Sequence, residues 1–522
     1  MSTAPPVHLV RSAAHARTGH PAPVLDIAQR QVVEHRGGPL RVLAGPGTGK
    51  STTLVEAVVD RVQSDGLDAG NVLILTYGRH AAAQLRARVS HRLGRTTREP
   101  VARTFHSYAF GLLRREATTH GEPAPRLLSG AEQDLIIREL LRGELEDGAR
   151  GWPSSLRPAL PTHGFAEEVR DALLRMVERG VSPAELDAWG RARGRADWTA
   201  LARFAELYAG VTALRQQPSF DPAELVRAAV DLLQTDRELL ARERSTRAFV
   251  VVDEYQDSDP AQEALLQLIA GGGQELVVVG DPDQAIYGFR GSDPVNIDRV
   301  CDRFTTADGS PAHSIALQVS RRAGEQLTTA SRRVASRLGG ASAHRALRPA
   351  PQDRTTAVDG IGSPGGPGAA SDSAALGVHV FGAASQEATF IATRLRTAHL
   401  IEGVPWSEMA VVVRSASAVP ALHRALSAAE VPVNVQRADI PLYEQPAARA
   451  LIDLLELATG GRDADADLLT GVLSGPLFNL DALALRRLRQ VLRNRELREG
   501  GGRSSTTIMV SALTDPTELI GA

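Results

Sequence analysis

Two patterns of hydrophobic and polar residues alternate along this 522-residue chain. Short apolar runs near residues 40–44, 248–252 and 276–279 predict strands that are buried on both faces, as in a parallel sheet. Stretches with apolar residues at i, i+3 and i+4, one of which begins at Ser51, predict helices between these strands. The alternation therefore predicts an α/β fold built on a parallel sheet.

The same patterns divide the chain into segments. Strand-like runs occur on both sides of a long stretch with helical spacing, which predicts a sheet-forming core with a helical insertion. A stretch rich in Pro, Gly and Ser cannot pack a core and predicts a linker, after which a β-α-β-α-β pattern begins a second unit that continues as helices. The predicted segments are a flexible tail at 1–22, a core at 23–106 and 247–349, a helical insertion at 107–246, a linker at 350–376, and a second, partial parallel unit at 377–522.

The composition excludes several classes of protein. Apolar residues make up 43% of the chain and charged residues 23%, as is usual for a globular protein. No uninterrupted apolar stretch predicts a membrane span, and the N-terminus has no secretory signal. Cys301 is the only cysteine, which excludes an intrachain disulfide, a Cys-ligated zinc site and an iron–sulfur cluster. We expect a cytoplasmic enzyme.

A glycine-rich turn follows the first apolar run and precedes a helical pattern, which is the strand–loop–helix context of a P-loop. Backbone N–H groups of such a loop surround phosphates at a helix N-terminus, where the dipole favours anions. Lys50, the only lysine in the chain, is predicted to reach the β- and γ-phosphates, and Ser51 to hold Mg²⁺. The predicted phosphate-binding residues are Ala44, Gly45, Pro46, Gly47, Thr48, Gly49, Lys50, Ser51 and Thr52.

Acidic residues end the next two apolar runs. Asp253 and Glu254 follow residues 248–252, at the sheet edge where ligands bind in open α/β folds. We predict that Asp253 lies behind Mg²⁺ and that Glu254 polarises an attacking water, which indicates hydrolysis rather than phosphoryl transfer to another group. Gln284 follows the next run and is predicted to act as a polar sensor.

These motifs resemble one family in their order and spacing. The P-loop, the sequence D-E-Y-Q-D at 253–257 and the sequence G-D-P-D-Q-A-I-Y-G-F-R-G at 280–291 resemble superfamily 1A DNA helicases of the UvrD/Rep type. The resemblance implies RecA-like cores, with ATP and Mg²⁺ as cofactors. It also implies that Gln29 contacts the adenine edge and that Arg322 contacts the γ-phosphate. Arg321 stands where the family usually has an adenine-stacking tyrosine.

A DNA-binding surface is predicted from the resemblance and from the residues themselves. Residues 73–82 resemble a family motif that runs along single-stranded DNA. Nine arginines and a single acid lie between Arg79 and Arg115, with aromatic residues among them, a combination that binds phosphates and stacks bases. Tyr108 and Phe110 are predicted in the core because they open a helical run. The predicted DNA-binding residues are Thr76, Tyr77, Phe105, His106, Phe289 and Arg290.

The resemblance implies an ATP-driven 3′-to-5′ translocase or helicase, acting in repair or recombination on single-stranded DNA or on duplex with a 3′ single-stranded tail. Residues 128–134 and 164–175 are similar to helicase subunits of AdnAB-type helicase–nucleases, whose nuclease site uses a lysine. Because Lys50 is the only lysine, a nuclease site of that kind is excluded. No stretch after Val433 resembles the family's two later motifs. The alternative is therefore a truncated or accessory ATP- and DNA-binding module that needs a partner, such as a second helicase or nuclease subunit.

Overall fold

The computed structural model separates into two compact units, residues 1–376 and 377–522. The predicted tail lies outside the described residues, as does nearly all of the predicted linker. The segment boundaries inferred from the sequence stay predictions. The described residues are 23–94, 101–213, 219–288, 291–340, 343–351, 376–415, 418–434, 446–459, 465–475, 477–478 and 480–514.

A parallel sheet forms the centre of the first unit. The described strands are β1 (Pro39–Ala44), β2 (Val72–Thr76), β3 (Ala102–Thr104), β4 (Arg126–Leu127), β5 (Ser219–Phe220), β6 (Phe249–Val252), β7 (Glu275–Gly280), β8 (His313–Leu317), β9 (Val319–Ser320) and β10 (Arg348–Pro349). Six of them pair in the order β3-β2-β6-β7-β1-β8, and every pairing in this sheet is parallel. The predicted α/β class with a parallel sheet is confirmed.

Helices cover both faces of the sheet, which explains why its central strands β2, β6 and β7 are largely apolar. Along β6, Val250 and Val252 belong to one buried cluster and Val251 belongs to another, since successive side chains point to opposite faces. Strands β6, β7 and β1 are direct neighbours, so their carboxyl ends lie side by side. The P-loop and both acidic motifs follow these three strands.

The helices of the first unit include α2, which starts at Lys50, one residue before the predicted helical pattern begins. They are α1 (Ile27–Glu34), α2 (Lys50–Gln63), α3 (Arg79–Leu93), α4 (Phe105–His120), α5 (Gly130–Glu146), α6 (His163–Arg179), α7 (Pro183–Arg193), α8 (Ala196–Ala213), α9 (Pro222–Thr235), α10 (Arg237–Thr246), α11 (Pro260–Ala270), α12 (Val300–Arg303) and α13 (Glu325–Ala335). In the described part of the chain, no helix has the length and apolarity needed to cross a membrane.

Helices α4 to α10 occupy the segment between β3 and β6. Several of them enclose a separate core that contains Trp152, Phe165 and Phe204. The segment predicted as a helical insertion is not helical throughout, because β4 and β5 form a parallel pair of two residues each. So short a pair leaves no periodic pattern in the sequence. The prediction of core positions for Tyr108 and Phe110 is confirmed, since Tyr108 is fully buried and Phe110 packs against the same cluster.

The second unit is helical in its described residues, with α14 (Ala384–Leu400), α15 (Val419–Ala428), α16 (Pro446–Ala458), α17 (Ala466–Ser474), α18 (Ala482–Arg498) and α19 (Ser505–Thr514). The helices predicted in the β-α-β-α-β pattern correspond to α14 and α15. The strands predicted at 377–383, 408–414 and 431–435 are wrong in their described residues, because 377–383, 408–414 and 431–434 form no strand. Val378, Val380 and Val412 are 85%, 93% and 92% exposed. An apolar run is a strand only when a neighbouring segment accepts its backbone hydrogen bonds.

Candidate functional site

The P-loop forms a tight turn between β1 and α2. Gly47 and Gly49 have φ angles of 76° and 83°, in the left-handed region that glycine adopts without strain. A Cβ at Gly47 would lie 2.5 Å from Ser320 Oγ, and one at Gly49 would lie 2.8 Å from Gln29 Nε2. Both positions therefore require glycine for conformation and for space. The turn leaves the N-terminus of α2 open, where backbone N–H groups can bind an anion.

Lys50 and Glu254 meet above the carboxyl ends of β1 and β6. Lys50 Nζ donates a 3.2 Å hydrogen bond to Glu254 Oε2, and Gln256 Nε2 donates one of 2.8 Å to the same oxygen. Glu254 has φ 54° and ψ 45°, a left-handed conformation that is uncommon for residues other than glycine. Such conformations concentrate at functional sites, where the surrounding structure holds them.

Asp253 precedes Glu254, accepts a 3.1 Å hydrogen bond from its backbone N–H, and is 4% exposed. Burial raises the pKa of its carboxyl to about 6; the charge of Glu254 adds to the rise and the Lys50 ammonium opposes it. A buried carboxylate of this kind gains from a nearby cation. Ser51 in the first turn of α2 adds a hydroxyl, and oxygen atoms of these two kinds suit Mg²⁺. The residues present therefore fit the predicted metal.

A cavity of about 380 Å³ opens between the P-loop and Glu254. It brings together ten of the residues predicted for the nucleotide site, and it adds Arg88, one of the nine arginines predicted beside DNA. Arg88 Nη2 donates a 2.7 Å hydrogen bond to Thr52 Oγ1. The cavity is lined by Pro46, Gly47, Thr48, Gly49, Lys50, Ser51, Thr52, Arg88, Glu254, Gln284, Arg321 and Arg322. One ammonium and three guanidinium groups make it suited to a polyanion.

Gln29 and Arg321 lie beside the P-loop. Gln29 is 1% exposed, and its Nε2 donates a 3.0 Å hydrogen bond to the carbonyl oxygen of Thr48. Its Oε1 accepts a 3.1 Å hydrogen bond from Asp26 N as part of the capping box of α1. Arg321 Nη2 lies 3.3 Å from Asp26 Oδ2. Gln29 is therefore placed at the loop with both ends of its amide engaged, and its contact with adenine stays a prediction.

The predicted DNA-binding residues separate into different environments. Thr76 is completely buried at the end of β2, so its side chain does not face the surface, and its contact with DNA stays a prediction. The prediction for Phe105 is wrong: its ring is 2% exposed and belongs to the core, because Thr104 caps α4 and places Phe105 in its first turn. His106 is half-buried. Burial and the charge of Arg79 lower the pKa of His106.

Tyr77 lies at the carboxyl edge of the sheet and stacks on Tyr287, with ring centroids 4.2 Å apart and planes 28° from parallel. Both tyrosines are half-buried, and Ile286 beside them is 66% exposed. Tyr287 was not predicted as a site residue, although it stands inside the motif at 280–291. Phe289 and Arg290 lie outside the described residues.

Comparison with known proteins identifies relatives of the first unit. Residues 25–305 match the model of the UvrD/REP helicase N-terminal domain. The chain is 29% identical over 279 residues to the ATP-dependent DNA helicase PcrA of Staphylococcus epidermidis, and 28% identical over 283 residues to PcrA of Staphylococcus aureus. Each alignment covers 52% of this chain and 35% of the relative. The match thus spans about a third of the length of these curated relatives.

Proposed function

We infer a function for this chain from its family. The chain belongs to the UvrD/REP helicase family, because the model of that family's N-terminal domain matches more than half of its residues. The proposed function is Mg²⁺-dependent ATP hydrolysis coupled to movement along single-stranded DNA. The names of the PcrA relatives, ATP-dependent DNA helicases, support both the nucleotide and the substrate class. A 3′-to-5′ direction and a role in repair or recombination belong to the proposal.

The contact between Lys50 and Glu254 is the observation that carries this proposal. Lys50 Nζ lies 3.2 Å from Glu254 Oε2 at the mouth of a cavity that three arginines also line. A polyphosphate in the cavity offers Lys50 a stronger anionic partner than one carboxylate. Glu254 would then be released from the ammonium and could orient a water molecule for attack on the γ-phosphorus.

Gln284 and Arg322 complete the proposed machinery. Both line the cavity, and Gln284 Nε2 donates a 2.5 Å hydrogen bond to Asp281 Oδ2. Arg322 would stabilise charge on the γ-phosphate, a contribution that an arginine at a P-loop site can make in the transition state. Mg²⁺ would be held by Ser51 and Asp253 and would neutralise phosphate charge when bound.

The organisation inferred from the sequence forms part of the proposal. The core would consist of residues 23–106 and 247–349, with the helical segment at 107–246 inserted as a domain of its own. Residues 377–522 would belong to a second core and a helical insertion into it. The alternative function is an accessory ATP- and DNA-binding module that needs a partner subunit. The second unit supports this alternative, since its described residues contain helices but no strands.

Stimulation by DNA tests the proposal. We expect ATP hydrolysis by the chain to require Mg²⁺ and to rise when a single-stranded oligonucleotide is added, because DNA binding and cavity closure are coupled in a translocase. The measurement is steady-state phosphate release with and without a DNA oligonucleotide. Hydrolysis that DNA leaves unchanged favours the accessory module. A chain that neither binds nor hydrolyses ATP would overturn both functions.

A second prediction concerns the Tyr77–Tyr287 pair as a stacking platform for bases. Replacing Tyr287 with alanine should lower the affinity for single-stranded DNA by about 1–3 kcal/mol, the usual contribution of one stacked base. If arginines neutralise about four phosphates, a plot of log affinity against log salt concentration should have a slope near −3, in the original chain and in Tyr287→Ala alike.

Fluorescence anisotropy of a labelled oligonucleotide over a salt series measures both quantities. Phe105→Leu is the control, because Phe105 is aromatic but buried in the core. A control that weakens binding as much as Tyr287→Ala does would refute the stacking role.

A further inference from the structure

A buried cluster beside the cavity centres on His344, in the short helical turn Ala343–Arg345. His344 is 1% exposed, and its Nε2 lies 3.0 Å from Asp281 Oδ1 and 3.1 Å from Asp283 Oδ2. Arg345 donates two hydrogen bonds of 2.7 Å to the carboxylate of Asp283. One imidazole therefore joins the two carboxylates of the turn that contains Gln284.

Asp281 connects this cluster to the hydrolytic residues on two sides. Its Oδ2 accepts a 2.5 Å hydrogen bond from Gln284 Nε2. Its backbone N–H donates a 3.0 Å hydrogen bond to Gln256 Oε1, and Gln256 Nε2 donates one of 2.8 Å to Glu254 Oε2. A displacement of Asp281 would therefore reach both Gln284 and Glu254.

The ionisation of Asp281 determines which end of the Gln284 amide faces it. An ionised carboxylate only accepts hydrogen bonds, so Gln284 must present its NH₂ group to Asp281. The carbonyl oxygen of the Gln284 amide then stays available to a ligand. Burial alone would raise the pKa of Asp281, but hydrogen bonds from His344 and Gln284 hold it below its usual value. Burial by itself would lower the pKa of His344. Hydrogen bonds to Asp281 and Asp283, together with their charges, outweigh burial and raise the pKa of His344.

The carboxylates of the cluster are paired within the protein. Arg345 pairs with Asp283, and the His344 imidazole bridges Asp281 and Asp283 through Nε2. This arrangement favours a structural network over a cation site. Each of the four side chains would then serve to hold the turn in one position.

The segment that carries His344 also packs on the P-loop. A Cβ at Gly45 would lie 2.7 Å from Leu347 Cδ2 and 3.0 Å from the carbonyl oxygen of His344. The same short segment thus contacts the phosphate-binding loop through its backbone and the Gln284 turn through the imidazole. It lies downstream of Arg322 in the chain.

We propose that His344 is a positioning residue for ATP hydrolysis: by holding the carboxylate of Asp281 in place, it fixes the amide of Gln284 at the phosphate cavity. The inference rests on the proposed hydrolytic function and extends it to a residue that does not line the cavity. His344 acts on the rate of the chemical step and not on nucleotide affinity, which the P-loop supplies.

The test measures kcat and KM for ATP in the full chain and three variants. His344→Ala should lower kcat about 10-fold, within the effect of a small misplacement at a reacting centre, and leave KM within about 2-fold. His344→Gln keeps an N–H donor close to the position of Nε2 and should restore kcat to within about 3-fold of the original chain. The exposed His313, on β8, provides the control His313→Ala, which should change neither constant.

A double-mutant cycle with Gln284→Ala separates positioning from general destabilisation. If His344 acts through Gln284, His344→Ala should have less than about 2-fold further effect on kcat in the Gln284→Ala background. Independent effects that multiply, a loss confined to KM, or failure of His344→Gln to restore kcat would each overturn the inference. Absence of hydrolysis in the original chain would overturn the proposed function together with the inference, whereas hydrolysis that His344→Ala leaves unchanged overturns the inference alone.

Discussion

Replacing Lys50 with alanine is expected to lower the affinity for Mg²⁺-ATP by about 2–5 kcal/mol, which is at least about 30-fold in Kd. Lys50 is the only lysine in the chain, and its side chain is 11% exposed at the cavity. An ammonium shielded from water contributes more to phosphate binding than an exposed one, because the local dielectric is lower. Its removal also leaves Glu254 as an uncompensated negative charge facing the phosphates, which adds repulsion to the lost attraction.

Isothermal titration calorimetry with Mg²⁺-ATP measures this effect. Arg126→Ala is a suitable control, because it removes a cation from an exposed pair with Glu132 that lies away from the cavity. Surface pairs of this kind contribute little, so the control should bind ATP as the original chain does. Equal affinity of Lys50→Ala and the original chain would show that the P-loop assignment is wrong.

The second large effect is expected for Glu254→Gln, which should lower the rate of ATP hydrolysis by about 10²–10⁴-fold while nucleotide binding is retained. Glutamine has nearly the shape of glutamate, but it cannot accept a proton from the attacking water. Lys50 loses a competing carboxylate, so its ammonium becomes fully available to the phosphates. We therefore expect the affinity of this variant for ATP to equal or exceed that of the original chain.

Single-turnover hydrolysis and calorimetry on the same preparation distinguish chemistry from binding. The exposed Glu122 in the loop after α4 provides a control substitution, Glu122→Gln, which should alter neither measurement. A Glu254→Gln variant that hydrolyses ATP at the original rate would exclude Glu254 as the group that activates water. Loss of binding in parallel with hydrolysis would assign it a structural role.

The central elements of the candidate site could be predicted from the sequence because each lies within a few residues of a strong local signal. Glycines in the P-loop specify a turn that other residues cannot adopt, and an apolar run before Asp253 specifies a buried strand that ends at the sheet edge. The structure brings Lys50, Glu254 and Gln284 to one cavity. Their chemical roles stay predictions for the experiments described above.

Other members of the site could not be predicted, because their partners are distant in the sequence. Arg88 contacts Thr52, 36 residues away, and it joins the cavity only because α3 packs against α2. His344 contacts Asp283, 61 residues away, through a short turn with no motif of its own. An arginine or histidine in isolation gives no signal of which distant side chain it will meet.

The sequence by itself determined the α/β class, the P-loop and the order of strands and helices around it, since these depend on local periodicity and on glycine conformation. The tertiary structure alone decided which aromatic residues are exposed: Phe105 packs into the core from the first turn of α4, whereas Tyr77 stacks on Tyr287 at the sheet edge. It also decided that the apolar runs at 377–383 and 408–414 form no strand. The physical reason is common to both cases. Burial and strand pairing depend on contacts between segments far apart in the chain, and a local pattern specifies only one side of such a contact.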